Sequence, residues 1–150
     1  MRIVIQRVSE ASVNIDGHQV SSIKKGLLIL LGITHEDDAE DIDYLVRKTI
    51  QLRIFDDEEG KMNLSLQDIE GEALIVSQFT LHAKTKKRTR PSYTRAASPE
   101  QAIPLYEKFV TELKTAIGDQ KVSTGEFGAM MQVQLINDGP VTILMDSKEK

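Results

Sequence analysis

Along this chain the spacing of hydrophobic positions changes repeatedly, and each change marks a new element. Ile3 and Ile5, then Val13 and Ile15, alternate with polar neighbours, the two-residue period of a half-buried strand. Asp16-Gly17 follows as a two-residue hairpin signal. Gly26-Leu27-Leu28-Ile29-Leu30-Leu31-Gly32-Ile33 is wholly apolar and predicts a short central strand buried on both faces. From about Asp37 the spacing becomes three and four. Ile42, Leu45, Val46, Thr49 and Ile50 predict a surface helix to about Arg53, with Thr34 as its cap and the following acids set favourably against its dipole. Phe55 to Met62 reads as an acidic turn. Ala73-Leu74-Ile75-Val76 then resumes a core strand that carries Ser77-Gln78-Phe79-Thr80-Leu81 at its C-terminal end.

Ser98-Pro99-Glu100-Gln101 predicts a second helix start, with Ser98 as N-cap, Pro99 at the first helical position and Gln101 three residues after the cap. Leu105, Phe109, Leu113 and Ile117 mark one face, and Gly118 ends it. The tail returns to alternation. Met131, Val133 and Leu135 precede a turn signal at Asn137-Asp138-Gly139, and Val141, Ile143 and Met145 follow it, which predicts a hairpin. No internal repeat or linker interrupts the pattern. The expectation is a single α+β domain over residues 1–150, with a mixed, mostly antiparallel sheet and two main helices.

Composition changes this picture mainly by exclusion. Cysteine is absent, so thiolate chemistry, cysteine-based zinc sites and disulfides are out, which fits a cytoplasmic protein. Charges at positions 2 and 7 leave no room for the apolar core of a signal peptide, and no apolar run is long enough for a membrane span. The net charge of −4 argues against general nucleic-acid coating. Against that background the acid-free stretch from Ala83 to Ala97 stands out, because Lys84, Lys86, Lys87, Arg88, Arg90 and Arg95 all fall within it. It is either a solvated charge run or a local surface for a polyanion. Arg90-Pro91-Ser92-Tyr93 adds a stiffened turn and an aromatic ring able to stack on a base.

Three other groups carry candidate chemistry. Ser77, Gln78 and Thr80 sit where a strand end delivers side chains to a cleft, although hydroxyls there also serve simply to bond the turn. Thr80 as a nucleophile needs a base, and the nearest candidate is His82, on the same face if the strand continues. In Asn137-Asp138-Gly139-Pro140-Val141-Thr142, Gly139 permits close backbone approach and the bond before Pro140 is able to be cis. A plain turn explains the same residue types. Phe127, between Gly125 and Gly128, is either a core aromatic or a ring held at a ligand. No spaced His and carboxylate set suggests a metal site, and no cofactor is expected.

Taken together these motifs resemble the D-aminoacyl-tRNA deacylases: Val4-Ile5-Gln6-Arg7-Val8, Ser77-Gln78-Phe79-Thr80-Leu81, Arg90-Pro91-Ser92, Gly125 through Met131, and Asn137 through Thr142. The chain departs from the family pattern at Lys87-Arg88, where Lys-Gly is usual, and at Tyr93, where Phe is common. The resemblance implies an enzyme that hydrolyses the ester of D-aminoacyl-tRNA, and glycine mischarged on tRNA as well. It also implies a homodimer whose active site spans the subunits, acting on aminoacylated tRNA with no part for DNA or membrane.

By the same resemblance, Gly139 and Pro140 exclude L side chains in the partner's pocket, with Arg7 and Asn137 in support. Ser77, Gln78 and Phe79 hold the terminal adenosine, and Phe127 and Met130 line the pocket. Thr80 and the backbone at Phe79 stand near the scissile ester, and either Thr80 or the tRNA's own ribose hydroxyl drives the reaction there, the missing base beside Thr80 favouring the ribose. Lys86, Lys87 and Arg90 meet the tRNA backbone. Two rivals stay open at this level: a non-catalytic RNA-binding protein resting on the basic loop, and a small-molecule hydrolase with Thr80 as nucleophile.

Overall fold

The computed structural model describes residues 1–150. Its elements run β1 (Arg2–Ile15), β2 (His18–Ile23), β3 (Gly26–Gly32), α1 (Ala39–Gln51), β4 (Phe55–Asp56), β5 (Met62–Leu64), β6 (Glu72–Ser77), α2 (Pro99–Ile117), β7 (Val122–Thr124) and β8 (Gln132–Asp146). Tight 3-10 turns occupy Phe79–His82 and Asp119–Lys121. β1 pairs antiparallel with β2, β3 and β8, whereas β6 lies parallel to both β3 and β7. The sheet is therefore mixed and mostly antiparallel, and β4 and β5 form a small separate ribbon.

The wholly apolar β3 is explained by a core on each face of the sheet. Leu27, Ile29 and Leu31 point to a large core shared with Ile42, Leu45 and Val46 of α1 and with Tyr106, Phe109 and Leu113 of α2. Leu28 points the other way, joining Leu74 and Val76 of β6 and Val8, Ala11 and Val13 of β1 in a smaller core. Successive strand residues alternate faces, so only a strand with both faces covered reads as continuous hydrophobic sequence. At the parallel junction of β3 and β6, a Cβ on Gly26 would lie 1.8 Å from the Glu72 carbonyl oxygen, so only glycine lets the strands meet there.

β1 changes phase along its length. Ile3 and Ile5 face the large core, yet Ala11 and Val13, also odd-numbered, face the small one. The pairing with β8 shifts between Val8 and Glu10, where β1 carries one extra residue. Such a bulge rotates every later side chain to the opposite face.

Three expectations need correcting. α1 is capped by Asp38, not Thr34: the Asp38 carboxylate accepts from Glu40 N–H, and Asp41 reaches back to Asp38 N–H at 2.9 Å. A carboxylate placed against the free N–H groups of the first turn satisfies both hydrogen bonding and the dipole, and Thr34 lies too far upstream to do either. α2 starts at Pro99 as expected, but the Ser98 side chain makes no capping bond, and Gln101 instead contacts His35 Nδ1 at 2.8 Å. Its buried stripe is Ala102, Tyr106, Phe109, Val110 and Leu113, while Leu105 is only half-buried. Most consequentially, no hairpin forms at Asn137–Gly139. β8 runs on as one strand against β1, and its pairing passes from Asn137 opposite Val8 to Thr142 opposite Gln6. The two-stranded reading fails because β1 is long enough to pair with both halves.

Candidate active site

β6 ends at Ser77 and the chain turns at once through Phe79–His82. Both ends of this turn are tied to the sheet: Gln78 N–H donates to the Leu31 carbonyl at 2.8 Å, and Arg2 Nη1 donates to the Leu81 carbonyl at 2.8 Å. As the first N–H groups of the turn, those of Phe79 and Thr80 have no acceptor within it, which leaves them available to an incoming oxygen. A cavity of about 310 Å³ opens beside it, with Ser77, Gln78, Phe79, Phe127 and Met130 in its wall together with Leu31 and Val76 from beneath. That volume is at the small end for a ligand pocket, roughly 300–1,000 Å³. A larger hollow of about 820 Å³ between β1 and β2 has mostly polar walls, such as Ser12, Gln19 and Lys24, and contains none of the candidate residues.

Thr80 adjoins the cavity through Gln78, whose Nε2 donates to the Thr80 hydroxyl oxygen. The hydroxyl proton is thus left free for donation, whereas one of the oxygen's lone pairs is engaged. His82 is no base for Thr80. The strand gives way to a 3-10 turn, so residues two apart no longer share a face, and His82 is buried with its Nε2 lacking a partner. Burial pulls the imidazole below its ordinary value, with Arg2 and the amino terminus adding to the effect and a bond with Gly32 and the charge of Asp37 opposing it.

The consequence for stability has a definite sign. His82 takes up its proton more readily in the unfolded chain, so its contribution is intact above about pH 6.5 and declines as the pH falls below that value. Thermal denaturation is expected to show this decline between pH 7.5 and 5.5, at most about 1.4 kcal/mol from this residue, and a smaller decline in His82→Gln.

Phe127 is held from below. Tyr106 meets it edge to face, with ring centroids 5.6 Å apart, and the Tyr106 hydroxyl donates to the Ile75 carbonyl at 3.4 Å. Burial pushes the Tyr106 phenol up to about 12 despite a bond with Thr124, so it remains a neutral donor. Sequence reading missed Tyr106 because it followed every fourth residue from Leu105. A three-and-four spacing through Ala102, Tyr106, Phe109 and Leu113 finds it.

The Gly139-Pro140 group lies apart from the cavity of its own chain. Between Asn137 and Thr142, β8 carries three residues more than β1, and this excess projects from the ladder as a bulge. Its Gly139-Pro140 peptide is cis, and Gly139 has φ of +155°. Asn137 closes the base: its Oδ1 accepts from Val141 N–H at 2.8 Å and its Nδ2 donates to the Val141 carbonyl at 3.2 Å, replacing the ladder bonds lost there. Arg7, buried to 6% exposure, braces the bulge. Its Nε donates to the Asp138 carbonyl at 2.6 Å, while Nη1 donates to the Ile54 carbonyl at 2.8 Å and lies 3.4 Å from the Asp56 carboxylate. Neither Ile54 nor Asp56 carries a sequence signal for this role, since the contact spans β1, β4 and β8.

Lys86, Lys87 and Arg90 lie together, with Lys84, Arg88 and Arg95, around a third concavity of about 760 Å³. The structure thus sorts the candidates into an apolar pocket, a braced backbone projection and a basic bowl.

Fold and site define a class first: a small α+β protein that sets an apolar pocket beside an acid-free basic surface, which suits a ligand joined to a polyanion. The chain belongs to the D-Tyr-tRNA(Tyr) deacylase family, whose sequence pattern matches residues 4–146. It is 61% identical to the D-aminoacyl-tRNA deacylase of Bacteroides fragilis strain YCH46, over 100% of this chain and 99% of that one. Among solved structures it is similar to a c-Myc DNA unwinding element binding protein, with 42% identity and a TM-score of 0.94 over 97% of this chain and 98% of the other. A probable eukaryotic D-amino acid tRNA deacylase shares the fold at 19% identity and a TM-score of 0.81, over 96% and 97% of the two chains. No helix is long and apolar enough to cross a membrane.

Proposed function

We propose that this chain hydrolyses the ester between a D-amino acid and the terminal adenosine of tRNA, and that it selects D over L by backbone exclusion. The observation that carries the chiral part is the bulge at Gly139-Pro140, a projection of main chain with no side chain on Gly139, fixed by Arg7 and Asn137. A wall of backbone set against the amino acid's α-carbon rejects one configuration without reading the side chain. Many D-amino acids, and achiral glycine, then pass. This is discrimination by a second sieve and by rejection.

The wall and the pocket come from different subunits in this reading. Gly139 and Pro140 do not line the pocket of their own chain, and that pocket is small for an aminoacyl-adenosine. Met130 at 91% exposure and Leu144 at 59% leave apolar surface open where a second copy would cover it. A homodimer brings the bulge of each protomer into the pocket of its partner.

Ser77, Gln78 and Phe79 hold the adenosine, Phe127 and Met130 enclose the aminoacyl group, and the N–H groups of Phe79 and Thr80 receive the developing oxyanion. Thr80 donates a hydrogen bond. It lacks a base to make it a nucleophile, and the buried His82 supports that assignment. The ribose hydroxyl beside the ester then assists water. Water adds to the carbonyl carbon, the bond to the ribose oxygen breaks, and that oxygen takes the proton. Lys86, Lys87 and Arg90 meet phosphates.

The deciding experiment compares D-tyrosyl-tRNA with L-tyrosyl-tRNA. Rapid loss of the D ester alone is expected. Equal loss of both would remove the bulge from its role, and loss of neither would leave only RNA binding.

A further inference from the structure

With the adenosine in the pocket, as proposed above, the adjoining basic surface is the loop of residues 83–97, whose Tyr93 ring touches Phe79 of the pocket wall. That loop is pinned at its neck. Lys84 N–H donates to the Ser92 carbonyl at 2.8 Å, and Ser92 N–H returns a bond to the Lys84 carbonyl at 3.1 Å. At its base Ala97 N–H donates to the Ile33 carbonyl at 2.9 Å, on the same stretch of chain that borders the pocket. The neck and base of the loop are therefore tied to the body of the protein. Six cations surround its concavity, Lys84, Lys86, Lys87, Arg88, Arg90 and Arg95. None of them lies within 4.0 Å of a carboxylate, although the chain as a whole carries −4. Like charges crowded without counterions are unfavourable until a polyanion arrives.

On the border between bowl and pocket, the rings of Phe79 and Tyr93 meet edge to face, with centroids 5.1 Å apart and planes at 80°. Both remain open to solvent, at 56% and 39% exposure. Rings at this angle turn their faces in different directions, so two bases stack on them only when splayed apart from one another. Exposed aromatic rings beside an unpaired basic groove are the usual equipment for single-stranded nucleic acid, because every base has a face to stack and every nucleotide a phosphate.

We propose that Tyr93 and the basic bowl form a second nucleotide subsite, which holds the single-stranded nucleotides just before the aminoacylated adenosine. One base stacks on Tyr93 and the phosphates lie among the six cations. Recognition of this kind is tolerant of sequence, so the subsite anchors the 3′ end of any tRNA without reading its body. Tyr93 is a positioning residue here, acting on the strand and not on the ester.

The test uses one D-amino acid esterified to adenosine and to the trinucleotide that ends tRNA. For the wild-type protein, kcat/KM on the trinucleotide ester is expected to exceed that on the adenosine ester and to fall with salt, by about 0.7 log units per log unit of salt for each phosphate held. In Tyr93→Ala the ratio of the two kcat/KM values is expected to fall about tenfold, through KM, and Tyr93→Phe is expected to restore it. A ratio unchanged in Tyr93→Ala would overturn the subsite. Fluorescence anisotropy with the uncharged, labelled trinucleotide separates this from the reading it rests on. Tyr93-dependent, salt-sensitive binding without hydrolysis of either ester would uphold the subsite and sink the deacylase, whereas hydrolysis without such binding would do the reverse.

Discussion

A D-tyrosyl-tRNA ending in 2′-deoxyadenosine is expected to be hydrolysed at least about 100-fold more slowly than the natural substrate, whereas Thr80→Ala costs less than about tenfold. The asymmetry follows from where a proton relay is available. General acid–base assistance contributes typically 10²–10⁴-fold, and it requires a group within hydrogen-bond reach of the reacting atoms. Thr80 has no such partner in the protein: Gln78 donates to its oxygen, and His82 is buried in another direction. The substrate's ribose brings a hydroxyl adjacent to the ester, and removing it removes the assistance. Single-turnover hydrolysis of the two tRNAs measures the effect directly. Equal rates on both, or complete inactivity of Thr80→Ala, would return the chemistry to the protein side chain. Dependence on a ribose hydroxyl also makes RNA, and not DNA, the substrate.

Gly139→Ala is expected to lower kcat/KM on D-aminoacyl-tRNA by about 100-fold and to narrow the margin over the L ester. A Cβ at this position would lie 2.7 Å from Val141 N, 2.8 Å from Val141 Cγ2 and 3.3 Å from Arg7 Nη2. The first two contacts are too short to persist, and one of them is to backbone. The bulge must therefore move, and Arg7 cannot give way freely while its guanidinium holds the Ile54 and Asp138 carbonyls. A displacement near 1 Å at a reacting centre costs on the order of 10²-fold. Stability is expected to fall less than activity, because Asp138, Gly139 and Pro140 are exposed and only Val141, at the rim of the large core, is buried among the bulge residues. Circular dichroism melting beside kinetics on the D and L esters distinguishes a moved wall from an unfolded protein. Full activity with unchanged chirality would show that the wall is elsewhere.

The hydrophobic pattern and the motif spacing determined a good deal of this protein. The apolar run Gly26–Ile33, the three-and-four spacing after Asp37 and Pro99 behind Ser98 were enough for the central strand and both helices, because burial period and end signals are local properties. The Ser77–Leu81 motif, the acid-free basic stretch and Gly139-Pro140 were likewise visible as residue types. Tertiary structure alone decided what those residues do for one another. Asn137-Asp138-Gly139 carries the chemistry of a hairpin turn, and only the length of β1, which pairs with both halves of β8, makes it a bulge. His82 has the right spacing for a base, and only the 3-10 turn sends it into the interior. Arg7 becomes a brace because β4 and the bulge of β8 meet beside it, 47 and 131 residues away in the chain. The physical reason is common to all three. Local propensity fixes how a segment prefers to fold, but register, facing and contacts across long sequence separations are set by how whole strands pair and what they must bury.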